Sequence, residues 1–426
     1  MIQITSMPVA PAPVAAPDWM LDLRQKAWRF FEEIPWPTGN EETWRRTKLT
    51  GFKLEDYAVP ALSAAPAGLP DDVAKALAEV QSVGSLGIVD GATRHYDLDE
   101  GLAARGVIFC DLDTAARRHP ELVRKYFGSV VAIDENKFSA LNFALWNSGT
   151  FVYVPRNVVL DKPLQAIIRQ SDGKHAGYHH TIVVAEAGAA VALAEDFLGA
   201  DGGMSDSVVE LIGGANSQLH YLHLQNLAHT AWNFSTQRMH LGRDSVLRHF
   251  IGSWGSRVSK NWINMELLGE GSSGELLGLY FPGGRQHLDH HTNQLHKAPH
   301  ATSDLLFKGA LKDRSRSVYQ GYVKVYPNAQ KTNAYQANRN LMLSRQARAD
   351  SIPGLEIEAD DVRCTHGATA GQIPDEYIFY LMARGIDRTN AERMIIQGFF
   401  EEVLNRIPVE GVRNKLEAEI ARKLGL

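Results

Sequence analysis

The chain has 426 residues, enough for two or three domains with a sizeable core. Its hydrophobic content of 44%, charged content of 22% and formal charge of -5 fit a globular protein and argue against a nucleic-acid partner. Two cysteines exclude a disulfide scaffold or a self-contained four-thiolate iron–sulfur protein, and they suit a reducing cytoplasmic setting.

No stretch is long and apolar enough for a transmembrane helix, so no membrane partner is expected. Residues 1–17 are rich in Ala and Pro and lack the basic start of a signal peptide, which predicts a disordered leader. Residues 18–149 read as a mainly helical region. Trp19 to Phe31 places apolar residues at helical spacing behind Pro17-Asp18, and Pro35, Pro37 and Gly39 end the pattern. Further helices are expected over 71–83 and 112–127. Between them Val107-Ile108-Phe109-Cys110 reads as a short buried strand, with Cys110 a small core residue.

From 150 to 362 the texture changes to short Val/Ile/Leu/Tyr-rich runs separated by Gly, Asn, Asp and Ser. Turns centred on Ala189, Ala215, Arg243, Ser272 and Arg314 each precede such a run, at steps of 26, 28, 29 and 42 residues. Turn-plus-strand units at a near-constant period predict a β-helix, in which each coil buries its inner face only when neighbours stack on it. A β-sandwich is the rival architecture. The last step is longer by 13 residues, which hold His287-Leu288-Asp289-His290-His291, followed by His296 and His300. Imidazoles plus a carboxylate can ligate zinc or non-haem iron, so His287, His290 and His291 are candidate ligands. Hydrogen-bonded caps of a β-helix turn are the other reading of the same cluster.

The tail, 363–426, opens on Arg363-Cys364-Thr365-His366-Gly367-Ala368-Thr369. On a strand, alternation points Cys364 and His366 to one face. They are two soft or borderline metal ligands, too few to hold a metal centre alone. A buried cysteine beside a hydrogen-bonded histidine is the structural alternative. Three helices should follow: Pro374 to Arg384 capped by Gly385, one opened by the capping box Thr389-Asn390-Ala391-Glu392 and running to about Arg406, and Gly411 to Lys423. The second carries Met394, Ile395, Phe399, Phe400, Val403 and Leu404. This stripe either packs internally or forms a docking face, with Met394, Phe399, Phe400 and Val403 as its anchors. The chain has no P-loop, no dinucleotide fingerprint in a strand–helix setting and no Gly-x-Ser-x-Gly elbow.

Several blocks in order resemble the SufB/SufD family of iron–sulfur cluster assembly proteins: Ser315 to Gly321, Gln330 to Leu341, Cys364 to Thr369, and His287 to Thr292 with Ala298-Pro299-His300. The likeness is strong over about 150–410 and looser at Trp44-Arg45-Arg46-Thr47. Gly367, and approximately Asn338, stand where the SufB branch has glutamate and cysteine, so the chain is more similar to the SufD branch. The resemblance implies a right-handed parallel β-helix flanked by helical regions and a scaffold role rather than an enzyme. It implies a SufB-type scaffold and a SufC-type ABC ATPase as partners, the ATPase docking on the helical tail. Cys364 and His366 then form one side of an intersubunit site for transient iron or a nascent cluster. No cofactor is expected to bind tightly to this chain alone, and a reduced flavin belongs, if anywhere, to the complex. Rival expectations are a metal-dependent β-helical enzyme using His287, Asp289 and His291, and a structural homodimer.

Overall fold

The computed structural model describes residues 18–59, 68–199 and 201–425; the leader expected over 1–17 lies outside them. Chain order begins with α1 (Asp18–Glu33), α2 (Asp71–Ala78) and a hairpin of β1 (Gly84–Val89) and β2 (Ala92–Leu98). Next come α3 (Glu100–Ala104), β3 (Ile108–Asp111), α4 (Leu112–Arg118), α5 (Pro120–Tyr126) and α6 (Lys137–Leu145). Sixteen strands follow as eight pairs. They are β4 (Ser148–Val154) and β5 (Leu164–Gln170), β6 (Ala176–Ala185) and β7 (Ala190–Gly199), β8 (Met204–Gly213) and β9 (Gln218–Asn226), and β10 (Trp232–Leu241) and β11 (Val246–Ser253). The remainder are β12 (Val258–Leu267) and β13 (Ser273–Tyr280), β14 (His287–His296) and β15 (Thr302–Leu311), β16 (Arg316–Val325) and β17 (Asn333–Met342), and β18 (Arg348–Ile357) and β19 (Arg363–Gly371). Helices α7 (Asp375–Met382), α8 (Arg388–Leu404) and α9 (Glu410–Leu424) close the chain.

Each pair is one coil of a parallel β-solenoid. Even-numbered strands from β4 to β18 stack in one sheet and odd-numbered strands from β5 to β19 in the other. Residues of strictly alternating rank face the lumen, where Leu193, Leu211, Ile263, Leu276 and Phe307 belong to a continuous apolar cluster. Corners need a left-handed residue, which Asn216, Asp244 and Asp313 supply with φ between 53 and 56°. Stacked corners come close: at Gly271, with φ of 69°, a Cβ would stand 2.3 Å from Asp244 Oδ1.

The outer faces are covered differently. Helices α1 and α6 lie over the even-strand sheet, with Phe138 of α6 stacked on Phe234 at 3.7 Å. Helices α8 and α9 lie over the odd-strand sheet, joined to it by an apolar cluster containing Leu277, Leu279, Phe281, Phe400 and Leu416.

The solenoid agrees with the repeat expected from the sequence, but its phase differs. The turns at Ala189, Ala215, Arg243 and Ser272 feed odd strands, whereas the turn at Arg314 feeds β16 of the other sheet. The 42-residue step is therefore one and a half coils, and the histidine cluster is the regular strand β14 rather than an insertion. The boundaries differ too. Residue 149 falls inside β4, and Cys364 and His366 lie on the last rung of the solenoid rather than beyond it. The hairpin β1–β2 and strand β3 extend both sheets into the N-terminal region, so that region is less helical than expected. Helix α8 is capped by Asp387, whose side chain accepts from Asn390 N, two residues before the expected capping box.

Candidate functional site

Strand β18 pairs only with β16, and β19 only with β17, so among the described residues the last coil ends both sheets. Both are long strands with a row of unpaired backbone groups, which folded proteins normally cover or blunt. Cys364 is in register with Ala334, and His366 with the buried Gln336. The two side chains thus share the lumen-facing side of β19, as alternation predicted. With no further rung above, Cys364 is half-buried and His366 exposed.

Cys364 packs with Leu355 and Val362 against the buried Val323 and Ala334. Burial pushes its thiol up from the ordinary value, against a backbone hydrogen bond from Ala334. Alone, then, it is held as a thiol, and a metal or cationic neighbour must favour the thiolate that ligates. Beneath His366 lies a polar layer. Tyr319 Oη donates to Gln336 Oε1 at 3.3 Å and lies 3.1 Å from Thr292 Oγ1, while Gln336 Nε2 donates to the Gly354 carbonyl at 3.2 Å. Glycine at 321 makes room for it, since a Cβ there would meet Tyr319 Oη at 2.2 Å. On the opposite, outer face of β19, a Cβ on Gly367 would meet nothing within 4 Å.

The histidine-rich strand β14 is split by its own alternation. His290 and His296 point into the lumen, where His290 stacks on Tyr280 and lies 3.1 Å from Ser253 Oγ. His287, Asp289 and His291 point outward beneath the segment Thr43–Thr47. The structure therefore does not bring His287, His290 and His291 together. A lysine from the neighbouring rung occupies the outer group: Lys260 Nζ donates to Asp289 Oδ2 at 2.6 Å and to the Thr43 carbonyl at 2.6 Å, and lies 3.0 Å from His291 Nε2. The rings of Trp44 and Trp262 flank the ammonium. Thr47 Oγ1 donates to Asp289 and lies 2.8 Å from His287 Nε2.

Electrostatics follow from this packing. Burial opposes ionisation of Asp289, but Lys260 and His291 hold its carboxyl well below the usual range. Burial lowers Lys260, with Asp289 opposing, and pushes His287 and His290 down to about 4. No three His, Cys, Asp or Glu side chains among the described residues converge as a metal-holding group. The outer group is a buried ion network that fastens the N-terminal segment, with an ammonium where a metal enzyme would keep its ion. Sequence inspection missed Lys260 because its partner stands 29 positions away, one coil further on.

The expected docking stripe on α8 is divided. Phe400 and Val403 are fully buried against the odd-strand sheet, so they are unavailable to a partner. Phe399 is partly covered, with Lys308 Nζ 4.7 Å from its ring centre, and Met394 remains 49% exposed. The outward apolar surface sits instead on α7, where Phe379 is 73% exposed and Tyr377, Tyr380 and Met382 project beside it. After Asp375-Glu376 its sequence, Tyr377-Ile378-Phe379-Tyr380-Leu381-Met382, is aromatic or aliphatic at every position, and that was the signal available.

No helix among the described residues is long and apolar enough to cross a membrane. Residues 167–399 match the family model of the SUF system FeS cluster assembly, SufBD core domain, and residues 14–166 match that of the SufBD protein N-terminal region. The iron–sulfur cluster assembly protein SufD of Bacillus subtilis (strain 168) is 33% identical over 420 residues, covering 96% of this chain and 94% of its own. An iron–sulfur cluster assembly SufBD family protein of Staphylococcus haemolyticus is 31% identical over 409 residues, covering 92% of this chain and 87% of its own. A SufBD family protein of Staphylococcus aureus (strain USA300) is 30% identical over 412 residues, with the same coverage.

Proposed function

The chain belongs to the SufBD family of iron–sulfur cluster assembly proteins, and on that premise we propose that it is the SufD-type accessory subunit of an assembly complex. The supporting observation is the last rung of the solenoid. It presents a thiol and an imidazole on the lumen side of β19, and among the described residues the free edges of β18 and β19 are unpaired. A second SufBD-type chain, of the SufB kind, satisfies those edges by continuing the sheets and brings its own ligand side chains opposite Cys364 and His366. Iron or a nascent cluster is then held as cargo between the two chains, each supplying part of a coordination set that neither completes. Because Cys364 is held as a thiol here, it loses its proton only when the metal or the partner arrives.

ATP chemistry is left to a SufC-type partner, since the sequence contains no P-loop. The exposed aromatics of α7 give that partner an apolar anchor, in place of the buried Phe400 and Val403. The chain is thus a scaffold rather than an enzyme. In a reconstituted three-subunit complex, His366→Ala should lower the cluster assembly rate about ten-fold or more, as expected when one of few ligands is removed. An unchanged rate would sink the assignment.

A further inference from the structure

The lumen is apolar on one side and polar on the other. His179, Ser207, Ser235, Asn261, His290 and Tyr319 are successive register neighbours along the even-strand sheet, all buried. Facing the first rungs, Glu195 Oε2 accepts from Tyr221 Oη at 2.6 Å and from Thr181 Oγ1 at 2.8 Å. Tyr221 Oη lies 3.3 Å from His223 Nδ1, and its ring stacks on His249. On the other side of Glu195, His179 Nε2 stands 3.5 Å from Oε1, and His179 Nδ1 is 2.6 Å from Ser148 Oγ. Ser148 and His179 line a narrow cleft that reaches the surface at Asp90 and Arg169.

Several buried polar atoms in the lumen, on strands of both sheets, have no hydrogen-bond partner among the described residues. They are Glu195 Oε1, His223 Nε2, both nitrogens of His249, His290 Nδ1 and both amide atoms of Gln294. Buried polar groups in such numbers are normally satisfied by ordered water, which needs two to four polar partners at each site. The interior of the coils supplies them. Burial holds His223 and His290 near 4, so their imidazoles stay neutral and each keeps one donor and one acceptor. Burial opposes ionisation of Glu195, but His179, Thr150 and Tyr221 hold its carboxyl net below the ordinary value.

We propose that the solenoid lumen is a water-bridged proton relay, running from the cleft at His179 through Glu195, Tyr221, His223 and His249 to His290 and the Thr292–Tyr319 layer beneath His366. Its use rests on the assembly role proposed above. When a partner covers the open end, Cys364 binding ferrous iron exchanges an S–H bond for an S–Fe bond and releases one proton, with no electron transferred. Solvent no longer reaches that face, and the lumen carries the proton to the opposite mouth.

The test uses the isolated full-length chain with nitrogen-15-labelled histidine, so it does not depend on any partner. The imidazole N–H protons of His223 and His249 should exchange with solvent about ten-fold or more faster than that of His180. His180 is equally buried but lies outside the lumen, satisfied by Asn142 and Glu210 at 3.2 and 2.9 Å. Exchange as slow as at His180 overturns the relay. His249→Phe should slow exchange at His290, while His249→Gln, which still hydrogen-bonds water, should restore most of it. If His249→Phe does not fold, the wild-type comparison with His180 decides alone. In the reconstituted complex a folded His249→Phe should slow assembly most at low pH, and a rate unchanged at every pH overturns the role in assembly. Failure of His366→Ala to impair assembly would instead strike the subunit assignment and leave the exchange result standing.

Discussion

Strands β14 and β19 carry the same kinds of side chain and meet opposite fates. On β14, an interior rung, Asp289 and His291 have a neighbour on each side, and Lys260 from the rung before closes the group. On β19, the terminal rung, Cys364 and His366 have a neighbour on one side only. Position in the stack thus decides the outcome: the outer group of β14 is completed by its neighbours, whereas the last rung leaves Cys364 and His366 open on one side. Ligand-type residues alone did not distinguish the two.

The largest effect separates the two regions by stability. Asp289→Ala leaves the Lys260 ammonium fully buried without its carboxylate and should cost about 3–5 kcal/mol in urea denaturation. Phe400→Ala should cost a similar amount, about 3–5 kcal/mol, because its ring fills the interface between α8 and the odd-strand sheet. If Asp289→Ala were as stable as the parent, the closed-network reading of β14 would be wrong.

Next in size is the response to acid. Burial takes His290 and His296 from 6.5 to about 4 in the folded chain. Above pH 6.5 both states are neutral and nothing is lost. Between 6.5 and about 4 the unfolded chain binds protons that the folded chain refuses, so stability falls as pH falls, by at most roughly 3 kcal/mol per histidine. Asp289 acts in a lower window: its carboxyl is held down in the fold, so its contribution is present above 3.8 and lost as pH falls further. Urea midpoints between neutral pH and pH 4 test this, and His290→Gln should flatten the slope. A slope of the opposite sign would break the picture of interior rungs that keep their imidazoles neutral.

How far the sequence could reach follows from the same geometry. Repeating turn-plus-strand units were legible because every coil obeys one packing rule. Their phase was not, because Gly, Asn, Asp and Ser serve the corners feeding both sheets, and the Arg314 turn looks like the other four. Alternation carried through β14 would have separated His290 and His296 from His287, Asp289 and His291. Asp90-Gly91, both at positive φ, was an unused hairpin signal between β1 and β2. By contrast, the burial of Phe400 and Val403 needed knowledge of which sheet α8 covers, and no local pattern holds that.

The smallest stability effect is expected where the functional effect is largest. His366 is exposed, and truncating it to Ala should leave folding stability within about 0.5 kcal/mol. Cys364→Ala should cost only slightly more, about 1 kcal/mol, since its side chain packs against the small apolar cluster of Val323 and Ala334 at a half-open end. Phe379→Asp on α7 belongs to the same class: unchanged folding, but an ATPase-subunit affinity weakened by about 2 kcal/mol or more if the ring is a docking anchor. Calorimetric melting of the isolated variants, set beside binding and assembly in the complex, measures both quantities on each protein. If His366→Ala melted far below the parent, the imidazole would be a structural member of its own coil, and β19 would differ from β14 only in exposure.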